Sequence, residues 1–223
     1  DASMNYSVPA SPAAADTDND GFIDTVYLGD LGGNMWRFKF CSKTDGAGCN
    51  IANWSGGYLF QSASGTIRPI YTMISAAKDP MGVLWVYWGT GDKTDPTATN
   101  VSEKFFAVKD TDRTATYALG NLENITYGTY TDSAAKHGWY VEFATGEKML
   151  GEPLVFGGIV YFTTYAPPSG GTPCDQGGMA RLYGMNYITG AAGLVLIPPP
   201  GNPPPAPVRS TNIGTGIPTT PVV

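Results

Sequence analysis

The sequence predicts an all-β protein, and three observations indicate this fold class. Glycine and proline together make up 47 of the 223 residues (29 Gly and 18 Pro), which favours many turns. Only 14% of the residues are charged, whereas helical domains usually carry more Lys, Glu and Arg. Short apolar runs, one of them (34–40) with a period of two, are bounded by these turn residues, as strands should be.

The strands are predicted from these runs in chain order, after an irregular lead-in over residues 1–15. Each predicted strand is an apolar or alternating run that ends at a turn, and Gly157-Gly158 indicates a tight hairpin because type I′ turns need positive φ at both positions. A single helical turn could form at 133–137, and no convincing helix is found. The predicted strands are 25–29, 34–40, 81–89, 103–109, 154–156, 159–162, 181–187 and 194–197.

Three of these strands share one form, in which Val-Tyr is followed by an apolar residue and the strand adjoins a Gly turn. Their tyrosines, Tyr27, Tyr87 and Tyr161, lie 60 and 74 positions apart. Recurring strand units of this kind favour the blades of a β-propeller, here modified by long loop insertions. A β-sandwich is the alternative, since it also consists of many short strands.

The predicted organisation is a set of propeller blades over residues 16–197, followed by a Pro-rich connector over 198–207. Residues 208–223 are expected to start a further blade. Three or four blades do not close a propeller, and open sheet edges are prone to pairing with other strands. The propeller is therefore expected to be incomplete in this chain, with the missing blades supplied by an upstream region or a second chain.

Residues 16–24 carry the one sharp chemical motif, Asp-Thr-Asp-Asn-Asp-Gly-Phe-Ile-Asp. Four carboxylates in nine residues repel one another, and Ca²⁺ relieves such repulsion by taking six to eight oxygen ligands. Mg²⁺ fits less well because it demands a stricter octahedron, and the alternative without metal is a solvated acidic turn. The loop is not a complete EF-hand, because it runs into a strand. The predicted Ca²⁺ ligands, with Phe22 acting through its carbonyl, are Asp16, Asp18, Asp20, Phe22 and Asp24.

The cysteines indicate an oxidising compartment. Cys41 and Cys49 flank a turn-rich loop and are predicted to form a disulfide, the alternatives being buried thiols or a weak metal pair. Cys174 is left over, either free or paired outside this chain.

Charge and composition exclude several function classes. The formal net charge is −6 and no Lys/Arg cluster occurs, so nucleic acid is not an expected partner. No apolar run of about 18 residues could span a membrane as a helix. His137 is the one histidine, so a multi-His metal site is excluded. No nucleophile, base or phosphate-binding loop accompanies the acidic motif, and we expect no enzymatic activity.

The run from Asp16 to Phe40 resembles the C-terminal propeller of PilY/PilC-type proteins, the type IV pilus biogenesis factors and tip adhesins. In this run the acidic loop leads directly into Gly-Asp-Leu-Gly-Gly-Asn-Met-Trp-Arg-Phe. Further matching segments follow in the family's order: 88–92, 138–141, 152–155, 160–167 and 182–190.

The resemblance implies a modified propeller outside the cytoplasm, at the pilus tip or outer membrane after transit through the periplasm. It implies that Ca²⁺ occupies the 16–24 loop and is linked to switching between pilus extension and retraction. It also implies support of pilus assembly, adhesion to a surface or host ligand, and minor pilins or a pilin-like neck protein as partners. The family's large N-terminal region is absent from the sequence, so we expect a partner chain or upstream region.

Two other functions are weighed against this one. The pattern Leu-Tyr-x-x-Asn-x-x-Thr-Gly at residues 182–190 resembles the blades of quinoprotein dehydrogenases. Those enzymes need a closed ring and usually a disulfide between adjacent cysteines, and neither is expected in this chain. A surface carbohydrate-binding propeller would use exposed aromatic residues as a platform, although such residues more often pack between sheets. The candidates for that platform are Trp36, Trp54, Trp85, Trp88 and Trp139.

Overall fold

Three β-sheets make up the regular structure of the part of the chain that is described. The computed structural model describes residues 4–42, 50–63, 68–168, 177–198, 200, 202–203 and 205–222. Within these ranges the only helical segments are two 3-10 turns, Ile51–Asn53 and Leu119–Asn121. The sheets contain four, five and five strands and follow one another along the chain.

Sheet 1 is an antiparallel sheet whose strands lie side by side in chain order. Successive strands are joined by hairpin connections, and the pairing shifts at Met35/Trp36, where the ladder has a bulge. Its strands are β1 (Ala13–Ala15), β2 (Thr25–Gly29), β3 (Met35–Lys39) and β4 (Ser55–Phe60).

Sheet 2 has the order β5-β6-β7-β9-β8, and its last pair is parallel. Its strands are β5 (Ser75–Lys78), β6 (Leu84–Gly89), β7 (Lys104–Asp110), β8 (Glu123–Asn124) and β9 (Gly138–Glu142).

Sheet 3 has the order β10-β12-β13-β14, and β11 also pairs with β12. Its strands are β10 (Lys148–Met149), β11 (Leu154–Phe156), β12 (Ile159–Ala166), β13 (Met179–Asn186) and β14 (Ser210–Thr215).

Sheet 2 is the middle layer and is buried on both faces. Alternate residues of β6 and β7 point to opposite faces of the sheet. One set, Val86, Trp88, Phe106 and Val108, packs in a cluster with residues of sheet 1 such as Tyr27, Met35 and Leu59. The other set, Trp85, Tyr87, Phe105 and Ala107, packs with residues of sheet 3 such as Val160, Phe162 and Met185. This two-sided burial explains why β6 is apolar throughout and why no period of two appears in it.

The stacked order sheet 1, sheet 2, sheet 3 is the arrangement of successive propeller blades. The three strands of the shared Val-Tyr form become β2, β6 and β12, and each is the second strand along its sheet. The predicted fold class, an all-β modified propeller, is therefore confirmed. The hairpin at Gly157-Gly158 is confirmed as well, with φ values of 58° and 81°.

One hairpin form occurs twice, although the sequence analysis did not find it. Asp30 begins a turn in which Gly33 has a φ of 84°, and the Asp30 carboxylate accepts hydrogen bonds from the Asn34 amide (2.9 Å) and from Trp36 Nε1 (2.8 Å). The same spacing and bonds recur before β6, where Trp85 Nε1 donates to Asp79 at 3.1 Å. The equivalent residues are Asp79, Gly82 and Trp85. The motif Asp-x-x-Gly-x-x-Trp therefore anchors one hairpin in each of sheets 1 and 2.

The strand predicted at 81–89 begins later than expected. Residues 79–83 form the repeated turn, closed by the Gly82 amide on the Asp79 carbonyl at 2.9 Å, so the strand begins at Leu84. The turn takes the backbone of Met81 out of the ladder and leaves its side chain 88% exposed.

The strand predicted at 194–197 is wrong. Leu194 alone forms an isolated bridge, with Val208, and is buried, while Val195, Leu196 and Ile197 are exposed. Segment 208–223 also differs from the expected start of a further blade. It contributes β14, which pairs with β13 and so extends sheet 3.

Candidate metal centre

The acidic loop at residues 16–24 is the connection of the β1–β2 hairpin. Ala15 and Thr25 are paired at its base, and the Asp24 amide donates to the Ala15 carbonyl at 3.1 Å. Asn19 and Gly21 have φ values of 60° and 92°, in the left-handed region that glycine and asparagine tolerate best. These two residues turn the chain sharply enough to bring the ends of the loop together.

Three of the predicted ligands meet in this loop. One carboxylate oxygen each from Asp16, Asp18 and Asp24 lies within 4.8 Å of the others, and Asp24 is buried. Two oxygens that share a Ca²⁺ ion at about 2.4 Å each lie at most about 4.8 Å apart. The spacing of the three carboxylates therefore fits a shared cation of this size.

Hydrogen bonds fix the orientation of the first two carboxylates. Asp16 accepts the amides of Asn19 (2.6 Å) and Gly21 (2.8 Å), so the backbone of the loop wraps around it. Asp18 accepts the hydroxyl of Ser42, which follows β3, at 2.7 Å. Ser42 thus ties the loop to the next hairpin of sheet 1.

Asp24 is held by the two threonines nearest to it. Its Oδ2 accepts the Thr17 amide at 2.9 Å and the Thr17 hydroxyl at 2.7 Å, and its Oδ1 accepts the Thr25 hydroxyl at 2.8 Å. A buried carboxylate oriented by several donors is pre-organised as a ligand, because little rearrangement is needed when a cation binds.

Two of the predicted ligands lie differently from the other three. Asp20 is not a member of the three-carboxylate group, and its Oδ1 accepts the Phe22 amide at 2.9 Å. Phe22 is 75% exposed, and because its side chain has no donor atom it could bind a cation only through its backbone carbonyl, as the sequence analysis assumed. Metal binding by all five predicted ligands remains a prediction, and the structure brings three of their carboxylates together.

Two basic residues of the sheet 2 segment reach the loop, and the sequence analysis missed both. Lys78, at the end of β5, donates to Asn19 Oδ1 at 2.6 Å. Arg113, in the turn after β7, donates to the Asp24 carbonyl at 2.8 Å and to Thr25 Oγ1 at 2.9 Å. Arg113 is separated from Asp24 by 89 positions, so no local sequence signal could have shown the contact.

A buried polar network joins sheets 1 and 2 near this site. Arg37 of β3 donates to Asp110 Oδ1 at 2.7 Å, and Tyr27 of β2 donates to Asp110 Oδ2 at 2.6 Å. The side chains of Arg37 and Asp110 are 5% and 1% exposed. Burial, and then the charge of Asp110, raise the pKa of Tyr27 well above its usual range, so this hydroxyl stays protonated as a donor.

The aromatic platform of the carbohydrate-binding alternative does not form. Four of the five tryptophans are at most 1% exposed, and Trp54 is half exposed. Trp85, Trp88 and Trp139 pack in the clusters between the sheets, whereas Trp36 packs against Tyr58 of its own sheet. Packing between the sheets is therefore confirmed for Trp85, Trp88 and Trp139.

The predicted disulfide remains a prediction, because Cys49 lies outside the described residues, as does Cys174. Within the described ranges, no helix is both long enough and apolar enough to cross a membrane.

Fold and site together define a class of protein: a β-propeller segment of three consecutive blade-like sheets whose first hairpin carries an acidic loop with three clustered carboxylates. Residues 6–83, which include this loop, match the family model described as the PilY1 beta-propeller domain. The fold is similar to the crystal structure of the Pseudomonas aeruginosa PilY1 C-terminal domain, with a TM-score of 0.62 and 21% identity. That match covers 82% of this chain and 47% of the solved one.

Curated relatives agree with the family model. A type IV pilus biogenesis factor PilY1 homolog of Xylella fastidiosa is 27% identical over 90% of this chain. The type IV pilus biogenesis factor PilY1 of P. aeruginosa is 25% identical over 81% of it. Together the comparisons support a PilY1-type protein, as the resemblance in the sequence implied.

The chain spans only a small part of these relatives, 16% of the Xylella protein and 20% of the Pseudomonas protein. Both relatives are named as type IV pilus biogenesis factors.

Proposed function

We propose that this chain is a calcium-binding propeller component of a type IV pilus assembly and tip complex. The names of the relatives support the pilus role. The single observation that supports calcium binding is the group formed by Asp16, Asp18 and Asp24, whose carboxylate oxygens lie within 4.8 Å of one another. Such a donor set suits a hard cation, and the remaining ligand positions are open to a backbone carbonyl and water.

Calcium would act by joining the two ends of the loop. Asp16 follows β1 and Asp24 precedes β2, so an ion between them would hold the two strands together where they enter the loop. Binding to the folded form alone stabilises that form by mass action. A hairpin ordered in this way is the proposed basis of control over pilus extension and retraction.

The proposed setting is the cell exterior, at the pilus tip or outer membrane, with the periplasm as the route of transit. Minor pilins or a pilin-like neck protein are the proposed partners, with a second chain or an upstream region supplying the missing blades. A Cys41–Cys49 disulfide is consistent with this oxidising setting. Adhesion to a surface ligand is proposed as the role of the complete assembly.

Calcium titration by calorimetry tests the metal site directly. We expect Asp18→Asn and Asp24→Asn each to weaken binding at least tenfold, since each removes one charged ligand. Asp92→Asn is the matched control, because Asp92 also accepts a backbone amide in an exposed turn (Thr94, 2.8 Å) but is not part of the group. Asp20→Asn distinguishes the two sets of ligands. Weaker binding would indicate the five predicted ligands, and unchanged binding would indicate the three-carboxylate group. Absence of binding by the wild type would reject the calcium proposal.

The pilus role is tested in cells with the same variants. We expect Asp24→Asn in the native gene to change the number of surface pili recovered by shearing and to alter twitching motility, while Asp92→Asn leaves both unchanged. Normal pili and motility in a strain that lacks the protein would reject the pilus role, independently of the calcium result.

A further inference from the structure

Arg113 connects the acidic loop to the junction between sheets 1 and 2. Its backbone lies in the turn after β7 with a φ of 58°, and its amide donates to Asp110 Oδ1 at 3.2 Å. Its guanidinium crosses to sheet 1, where Nη2 lies 2.8 Å from the Asp24 carbonyl oxygen and 3.4 Å from Asp24 Oδ1. Arg113 therefore contacts a candidate ligand of the metal through its side chain and Asp110 of β7 through its backbone amide.

We propose that Arg113 is the internal counter-ion of Asp24 and that it sets the affinity of the loop for its cation. In this role Arg113 also couples cation binding to the junction of sheets 1 and 2. This inference rests on the proposed calcium function. Arg113 is an affinity-setting residue in this proposal and not a ligand, because a guanidinium only donates hydrogen bonds.

The electrostatic argument follows from burial. The side chains of Arg113 and Asp24 are 12% and 2% exposed, so solvent screens their interaction weakly. A guanidinium neutralises part of the charge of Asp24 and repels a divalent cation bound to the same carboxylate. The fixed positive charge at Arg113 therefore lowers the affinity of the loop for Ca²⁺ below the value that the carboxylates alone would give.

Lys78 provides the comparison within the same molecule. It also brings a positive charge to the loop, but it contacts the amide side chain of exposed Asn19 instead of a buried carboxylate. Solvent and salt screen such a charge more strongly. The effect of Lys78 on cation affinity is therefore expected to be much smaller than that of Arg113.

Coupling follows from the two sets of contacts that Arg113 makes. A cation bound to Asp24 neutralises its charge and so weakens the attraction between Asp24 and the Arg113 guanidinium. The change reaches sheet 2 because the backbone of Arg113 belongs to the turn that contacts Asp110. By thermodynamic reciprocity, a change in that turn must alter cation affinity by the same factor as the cation alters the turn.

The test is Ca²⁺ titration of Arg113→Gln beside the wild type, Arg113→Lys and Lys78→Gln. We expect Arg113→Gln to bind Ca²⁺ more tightly, by a factor on the order of 10. Arg113→Lys, which keeps the charge, should stay near the wild type, and Lys78→Gln should change affinity less than threefold. A folded Arg113→Gln that binds no more tightly than the wild type, while the wild type does bind, overturns this inference and leaves the proposed function intact. Absence of binding by both proteins overturns both.

A measurement on the unaltered protein keeps the inference testable if Arg113→Gln does not fold. We expect Ca²⁺ to increase amide hydrogen exchange in residues 110–115 and to leave the exposed turn at 92–95 unchanged. Unchanged exchange at 110–115 in a protein that binds Ca²⁺ would overturn the coupling.

Discussion

Removing the Asp110 carboxylate should destabilise the junction between sheets 1 and 2 more than the loss of a typical surface charge. Asp110 accepts hydrogen bonds from Arg37 Nη1 (2.7 Å), Tyr27 Oη (2.6 Å) and the Arg113 amide (3.2 Å). In Asp110→Ala, the buried guanidinium of Arg37 keeps the Ala115 carbonyl as an acceptor at 3.2 Å but loses its counter-charge.

The magnitude follows from the burial of the pair. Breaking a buried ion pair by removing one partner costs about 3–5 kcal/mol, because the remaining charge stays desolvated. For a domain of this size, 1 kcal/mol corresponds to a shift of about 2–4 °C in the melting temperature. We therefore expect Asp110→Ala to lower the free energy of unfolding by about 4 kcal/mol and the melting temperature by about 8–16 °C.

Urea denaturation followed by tryptophan fluorescence measures this loss, and Asp132→Ala is the control. Asp132 also forms an ion pair, with Lys109, but its side chain is 72% exposed, so its removal should cost at most about 1 kcal/mol. Equal losses in the two variants would refute the reasoning and show that the apolar cluster alone holds the junction.

A replacement of the whole network separates the cost of an unpaired charge from the value of the pair. In the combined variant Tyr27→Phe, Arg37→Met, Asp110→Leu no buried charge of the network is left unpaired, and only the Arg113 amide and the Ala115 carbonyl lose a hydrogen bond. Replacing a buried ion pair by apolar residues of similar volume is often neutral or stabilising. We therefore expect this variant to regain most of the stability that Asp110→Ala loses.

Three further predictions concern single residues. Gly33→Ala should cost about 2–4 kcal/mol and Gly82→Ala about 1 kcal/mol in urea unfolding, because both glycines have φ near 84° but only at Gly33 would a Cβ meet a backbone oxygen, at 2.6 Å. Burial raises the pKa of Glu103, so its contribution to stability is lost as pH rises from the ordinary glutamate pKa through the raised folded value. Glu103→Gln should flatten that decline in urea titrations between pH 4 and pH 8. Lys148 donates to the carbonyls of residues 95, 96 and 98, so Lys148→Met should cost about 2–4 kcal/mol and speed proteolysis of that loop.

Features specified by a few neighbouring residues could be predicted from the sequence. The alternation in 34–40 predicted β3, and Gly157-Gly158 predicted a hairpin whose φ values are positive at both glycines. The spacing of the aspartates placed Asp16, Asp18 and Asp24 in one loop, where the chain turn brings their oxygens together. Each of these features is determined within about ten residues.

Features that depend on contacts between distant segments could not be predicted in the same way. Arg37 and Asp110 are 73 positions apart, and nothing near either residue marks it as the partner of the other. The failed strand at 194–197 has the same origin, because its apolar residues suit a strand but Val208 bridges to Leu194 only. The repeated Asp-x-x-Gly-x-x-Trp hairpin is different, since its spacing is fully present in the sequence and could have been found by comparing the two turns.

The acidic loop combines both kinds of information. Its ligands are local, but its electrostatic environment is formed by Arg113 and Lys78, which come from the sheet 2 segment. An isolated β1–β2 hairpin would keep the carboxylates yet lack both charges, and a two-stranded hairpin is marginally stable in water. Such a peptide would lose the ordering of the loop, and this loss would weaken cation binding. It would also lose the guanidinium that opposes the cation, and this second loss would strengthen binding. If the loop binds Ca²⁺ as proposed, its affinity therefore depends on the junction between the two sheets as well as on the nine-residue motif.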